Sequence, residues 1–263
     1  MQTQAARPLT LHLVRHGRTR YNAEHRLQGW CDSELTDDGL LGVRATAQHL
    51  RGVPLVAAYA SPSGRTVTTA EEILRHHSGV ELVTRPGLRE FSFGRHEAQP
   101  ESELFSEVAP LELFQSVIDG VFPGLPGGES GAVYVSRVAA AFAAIERAHP
   151  DGGDVLVVSH GITLMTYLTM VAGPPERFPV NASVTTVEVL PGGTRHVMAL
   201  GVDPSSQAVG RPGVQLRTKR VAPSGSALAR RGRHVRESIN AATPGRSKSA
   251  RRLSRRPAHR RPV

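Results

Sequence analysis

The 263-residue sequence has one cysteine, two lysines and no long apolar run, and each scarcity removes a class of protein. Cys31 has no second thiol for an internal disulfide or a thiolate zinc site, as expected of a chain made in a reducing compartment. The lysines are Lys219 and Lys248, so the first 200 residues contain none. Chemistry that needs a core lysine is thereby excluded: an ordinary GK[ST] phosphate loop, a kinase strand lysine, a Schiff base. No apolar stretch approaches the roughly 18 residues that span a bilayer, and Met1–Leu11 lacks the basic-then-apolar order of a secretory signal. The expectation is a cytoplasmic protein with no membrane span. A 39% hydrophobic content is enough for one sizeable core.

The formal net charge of +9 suggests a nucleic-acid partner until it is divided along the chain. Residues 1–200 hold 16 Lys+Arg and 21 Asp+Glu, net −5, whereas residues 201–263 hold 16 and 2, net +14. All the basic excess therefore lies in the last segment, where Pro, Ser, Gly and Arg dominate and no apolar period survives. Residues 202–263 are expected to be a disordered basic tail, and 1–8 a short extension, around a domain spanning 9–201. Runs such as Arg230-Arg231 and Arg251-Arg252 would bind polyanions non-specifically and salt-dependently, or else form a plain solvated tail. No Phe, Trp or Tyr is interleaved with them, which argues against base stacking.

Within the domain, strands and helices alternate. Leu9–Val14 is a short apolar run ending in Arg15-His16-Gly17, which reads as a buried strand carrying polar residues to its end. Thr36 caps a helix whose Leu40, Val43, Ala47 and Leu50 share one face. Val56–Ala60 is a second strand, and Arg65 opens the helix after it. Residues 81–90 read as another strand, 101–118 as a helix, and Ser130 as the cap of a helix bearing Val135, Val138, Phe142 and Ile145. Asp154–Ser159 is the clearest strand and ends in His160-Gly161, and Val184–Leu190 and His196–Leu200 form a late pair about Pro191-Gly192-Gly193. Such alternation predicts a mostly parallel sheet with helices on both faces.

Chemistry gathers at the carboxyl ends of these strands, where open α/β sheets bind ligands. Arg15, Arg65 and a helix N-terminus suit a tetrahedral dianion, because guanidinium forks and free backbone N–H groups match phosphate oxygens. Of His16 and His160, one neutral imidazole could attack phosphorus while the other holds the transferring group, with Glu90 protonating the leaving oxygen. The plainer alternatives are satisfied strand-end histidines and a Glu90 that pairs with Arg89 or Arg65. Glu129-Ser130 reads as a helix cap, Cys31 as a packing residue, and Trp30 either borders the pocket or anchors its loop. The other histidines show no metal spacing.

The ordered set Leu13-Val-Arg-His-Gly-Arg-Thr-Arg-Tyr-Asn22, Gln28-Gly29-Trp30, Leu35-Thr36, Ser61-Pro62, Arg65, Leu88-Arg89-Glu90, Gly127-Gly128-Glu129-Ser130 and Ser159-His160-Gly161 resembles the histidine phosphatase superfamily, in its phosphoglycerate-mutase-like branch. The resemblance spans about residues 9–200 and implies a three-layer α/β/α fold with a mostly parallel, mixed central sheet. It further implies reaction through a phosphohistidine without metal or other cofactor. His16 would be the nucleophile, Arg15, Arg65 and His160 the phosphate clamp, and Glu90 the proton donor and later the base for water. Asn22, Gln28 and Gly29 match positions that line the phosphate or substrate in the family; otherwise they are turn and loop residues.

Phosphoglycerate mutases carry a longer insertion after the glutamate, with a lysine and arginines that grip the substrate carboxylate. Only 36 residues separate Glu90 from Gly127 here, and they contain no lysine. They bring instead Phe91, Phe93, Phe105, Phe114 and Phe122, with Arg95 the one arginine. Leu88–Gly94 is similar to the phosphatase side of the branch, where Glu-Gly commonly follows; this chain has Glu97-Ala98. The expectation is hydrolysis of a small phosphorylated metabolite. The alternatives are a mutase, or a non-catalytic phosphate-binding protein whose basic tail binds nucleic acid.

Overall fold

The computed structural model describes residues 7–207. Strand β1 (Leu9–Arg15) is followed by α1 (Arg20–Ala23), α2 (Asp37–Leu50), β2 (Leu55–Ala60), α3 (Gly64–Leu74) and β3 (Leu82–Thr84). Helices α4 (Glu101–Phe105) and α5 (Pro110–Ile118) precede the long α6 (Gly131–Ala148), and β4 (Gly153–Ser159) leads into α7 (Gly161–Ala172). Strands β5 (Val184–Val189) and β6 (Arg195–Val202) and one turn of helix, α8 (Pro204–Gln207), complete the described order.

The sheet runs β3-β2-β4-β1-β5-β6. Its first four strands are parallel, and β5 and β6 are antiparallel additions at one edge. This is the expected mostly parallel, mixed sheet. Alternate residues of β1 enter opposite cores: Leu9, Leu11 and Leu13 meet α6 and α7, while Val14 meets α2 and α3. Covering both faces is what allows β1 and β4 to be nearly continuous apolar runs. Phe142 of α6 stacks on Tyr167 of α7 at 3.8 Å between ring centroids, tying the helices of one layer together. The Thr36 hydroxyl accepts from Gly39 N at 3.0 Å and the Ser130 hydroxyl from Val133 N, so both expected caps are present.

Two expected elements differ. The strand over 81–90 is only Leu82–Thr84, because Pro86 lacks the N–H a ladder needs and starts a 3-10 turn, Pro86–Leu88. The single helix over 101–118 is two, since Pro110 begins the second and could not lie inside a continuous one. The segment after Glu90 is largely core: Phe91 and Phe93 are buried, and Phe105, Phe114 and Phe122 pack against the same cluster. Strand β6 runs to Val202 and α8 follows; the rest of the basic tail, 208–263, and residues 1–6 lie outside the described residues. No helix among the described residues is long and apolar enough to cross a membrane.

Candidate active site

Parallel pairing of β1 with β4 sets Arg15 opposite Ser159, so the next residue of each strand, His16 and His160, emerges beside the other. Their ring centroids are 5.3 Å apart. Strand β2, on the far side of β4, delivers Ser61, and α3 then returns Arg65 to the same end of the sheet. Thus the strand order alone collects His16, His160, Ser61 and Arg65.

His16 is buried, and its Nδ1 lies 2.8 Å from the Gly17 carbonyl. A carbonyl only accepts, so Nδ1 carries the hydrogen and Nε2 of the neutral ring carries the lone pair. Burial, reinforced by the Arg65 and Arg15 cations, holds the imidazole well below the usual histidine value and keeps it neutral. Nε2 has no hydrogen-bond partner among the described residues. Backbone contacts fix this loop: Gly17 N donates to Thr69 Oγ1, and Asn181 Nδ2 donates to His16 O at 3.0 Å and to Asn22 Oδ1.

His160 is bound at both nitrogens. Arg65 Nη2 donates to Nδ1 at 2.9 Å, which places the ring hydrogen on Nε2, 2.8 Å from Ser61 Oγ. Burial, with Arg65, His16 and Arg15 adding to it, keeps this ring well below the usual value too. His160 therefore packs beside the reactive ring but faces it with no free nitrogen.

Arg65 is almost wholly buried and braced by the loop containing Trp30. Nη1 donates to Cys31 O at 2.8 Å and to Asp32 Oδ1 at 3.0 Å, and Nη2 donates to Gly29 O at 2.8 Å. Arg15 Nη1 donates to Pro179 O at 2.8 Å, while its guanidinium lies 5.3 Å from the Phe178 ring. A side chain on Gly161 would fall 2.3 Å from that ring, which explains the glycine after His160. Burial lowers Arg15 to about 10, against the raising effect of Glu90, so it remains a cation at neutral pH. The Nε–H of each arginine is buried and donates to nothing. Two such orphaned donors, at about 1–3 kcal/mol each, belong to the two cations that act on the His16 ring.

Glu90 makes no ion pair with Arg89 or Arg65; it caps α7. Oε2 accepts from Ile162 N at 2.9 Å, and Oε1 accepts from Phe91 N and Thr163 N and lies 3.0 Å from the Thr163 hydroxyl and 3.3 Å from that of Tyr134. Burial and Glu90 itself push Tyr134 well above 10, so it stays a neutral phenol.

Gln28 faces away from the guanidinium: its Oε1 accepts from Thr19 Oγ1 and its Nε2 donates to Ser33 Oγ, leaving its backbone carbonyl to Arg65. Asn22 closes a capping box with Thr19. Gly29 is required sterically, since a Cβ there would fall 2.1 Å from Phe91 O. Asp32, Asn181 and Glu97 were not among the residues singled out. Glu97 accepts from the backbone N–H groups of Gly29, Trp30, Cys31 and Phe93 at 2.9–3.1 Å and so clamps the loop that braces Arg65. Its one sequence signal is its place in the Glu97-Ala98 dipeptide. Burial pushes the Cys31 thiol up to about 12, consistent with a packing role. Trp30 both anchors and borders: its Nε1 donates to Glu90 O at 3.0 Å, yet 48% of it is exposed.

A neutral imidazole in the field of the buried Arg65 and the half-buried Arg15 thus lies at the carboxyl edge of this sheet. The chain belongs to the histidine phosphatase superfamily. Residues 11–199 match the model of the histidine phosphatase superfamily, branch 1. The probable phosphoglycerate mutase GpmB of Enterobacter sp. (strain 638) is 36% identical over 168 residues, 64% of this chain and 76% of that protein. A solved phosphoglycerate mutase from Bacillus anthracis str. Sterne superimposes with a TM-score of 0.70 at 31% identity, covering 78% of this chain and 97% of that one. The mycobacterial glucosyl-3-phosphoglycerate phosphatase Rv2419c shares the fold with a TM-score of 0.65 at 21% identity, covering 74% of this chain and 100% of that one.

Proposed function

We propose that the protein hydrolyses a small phosphomonoester through a phosphohistidine on His16. The observation that carries this reading is the His16 tautomer: Nδ1–H is given to Gly17 O, so Nε2 carries a free lone pair in the field of the Arg15 and Arg65 cations. In the first half-reaction Nε2 bonds to phosphorus as the ester P–O bond breaks, and the leaving oxygen takes a proton from Glu90. In the second, a water oxygen bonds to phosphorus as the P–N bond breaks, Glu90 takes the water proton, and inorganic phosphate and free His16 result. The orphaned Nε–H donors of Arg15 and Arg65 would hold phosphoryl oxygens, each charge-assisted bond contributing about 1.5–3 kcal/mol. A phosphoryl group would also compete with Ser61 for the His160 Nε2–H.

Hydrolysis is favoured over transfer because the segment after Glu90 is spent on packing. Phe91 makes edge contacts with Phe93, Phe122 and Tyr134, and Arg95 is exposed. The mutase designation of the Enterobacter and Bacillus anthracis relatives favours the second reading, transfer between two positions of one substrate. The test is rapid trapping of acid-labile phosphoenzyme from a panel of phosphomonoesters in EDTA, native chain against His16→Ala. An adduct with phosphate release, both lost in the variant, supports the proposal. Label appearing at a second position of phosphoglycerate would replace it with the mutase, and no adduct from any member would overturn it.

A further inference from the structure

Resting on that reading, we infer that Arg89, braced on the face of Trp30, selects the leaving group by pairing with a second anion on it. The Trp30 loop sits directly on the site. Its Gly29 and Cys31 carbonyls both accept from the Arg65 guanidinium, and its indole N–H donates to the Glu90 carbonyl. The ring is therefore fixed between the main chain of Glu90 and the loop that braces Arg65. Glu97 freezes that loop through three successive backbone N–H groups, so Trp30 is held as a platform although nearly half its surface is exposed.

Arg89 lies over this platform, with its guanidinium carbon 5.1 Å from the ring. The Arg89 side chain is half-buried and, among the described residues, has neither a carboxylate nor a carbonyl partner. Its neighbours are differently placed. Arg137 is spent on Glu129 and on the carbonyls of Gly87, Arg89 and Glu90, and Arg65 on Asp32, loop carbonyls and His160. Arg85 and Arg95, on the same segment, are exposed.

A guanidinium held over an aromatic face keeps its edge N–H groups outward, in the plane that suits bidentate pairing with a carboxylate or phosphate. In the proposed reaction the leaving group departs on the side of phosphorus away from His16 and takes a proton from Glu90; Arg89 adjoins Glu90 in the chain and lies over the ring whose N–H holds the Glu90 carbonyl, and this marks it as the residue to read that group. The grip thus comes from the loop just before Glu90, not from an insertion after it.

The test uses matched esters on the full chain: phosphoglycolate against 2-hydroxyethyl phosphate, and 3-phosphoglycerate against glycerol 3-phosphate, each pair differing in one carboxylate. The native protein is expected to favour the carboxylate member of at least one pair in kcat/KM by about 10- to 100-fold, the effect of one charge-assisted contact. Arg89→Met should erase the ratio by raising KM for that member, leave kcat for the neutral ester unchanged, and Arg89→Lys should restore part of it. The side chain holds nothing else, so folding should be unaffected; unchanged labelling of His16 by phosphoramidate, which has no second anion, checks this. A native ratio near one in both pairs, or a ratio that survives Arg89→Met while phosphoramidate still labels His16, overturns the inference alone. Failure of phosphoramidate to label the native chain overturns the phosphohistidine reading and this inference together.

Discussion

At the scale of the residue, the site is decided by which hydrogen-bond partners are pure acceptors or pure donors. Gly17 O can only accept and Arg65 can only donate, so the two histidines take opposite tautomers although both are buried beside the same cations. Glu90 is set by three backbone N–H donors, Phe91 beside it and Ile162 and Thr163 at the start of α7. Glu90→Gln keeps the shape but replaces one acceptor oxygen with an amide. Turnover of an alkyl phosphate is expected to fall about 10²- to 10⁴-fold, whereas an activated aryl ester, which needs no proton on its leaving oxygen, should lose much less in the phosphorylation step. Equal losses for both in single-turnover phosphorylation would assign Glu90 to helix capping alone. The candidate residues Arg15, His16 and His160, which the structure brings to one end of the sheet, were legible in the sequence because each follows an apolar run that stops abruptly. Glu97, Asp32 and Asn181 were not, since they act on backbone groups or on partners far along the chain and leave no spacing of their own.

At the scale of the element, the helices were readable where a cap and a periodic face coincided, as at Thr36 and Ser130. Proline is where the reading departs from the structure: Pro86 cuts a strand short and Pro110 divides a helix. The turn after Glu97 shows a further strain. Ala98 adopts φ 63°, with its N–H donated to Leu27 O and its carbonyl accepting from Arg26, so the left-handed conformation is held from both sides. A glycine would occupy this conformation without the Cβ penalty. Ala98→Gly is expected to raise stability by up to about 1 kcal/mol, the left-handed penalty of about 1–2 kcal/mol less the extra chain entropy of glycine. Chemical denaturation with an unchanged slope measures it, and a loss of stability would show that the turn tolerates alanine without strain.

At the scale of the whole molecule, titration should follow the buried histidines. His16 and His160 lie well below the usual value, and burial also lowers His49, His77 and His149. Each group is depressed in the folded state relative to about 6.5 in the unfolded chain. The unfolded chain therefore binds more protons just below that value, so their contribution is complete above pH 6.5 and is lost as pH falls beneath it. Melting temperature should decline from pH 7 to pH 5, and His16→Gln should flatten the decline. A flat native profile over that interval would contradict the burial of these rings.

The two imidazoles stand on neighbouring strands whose register is fixed from Leu9↔Gly153 to Arg15↔Ser159. The sheet is thus a ruler: the roughly 4.8 Å between hydrogen-bonded strands sets the distance between the rings, and the loops do not. On the proposed reading, what happens to a phosphoryl group and which molecule brings it are consequently separable traits, one set by the sheet and the other by the loops. Rewriting the loops at residues 28–32 and 89–127 would leave the spacing between His16 and His160 as β1 and β4 set it.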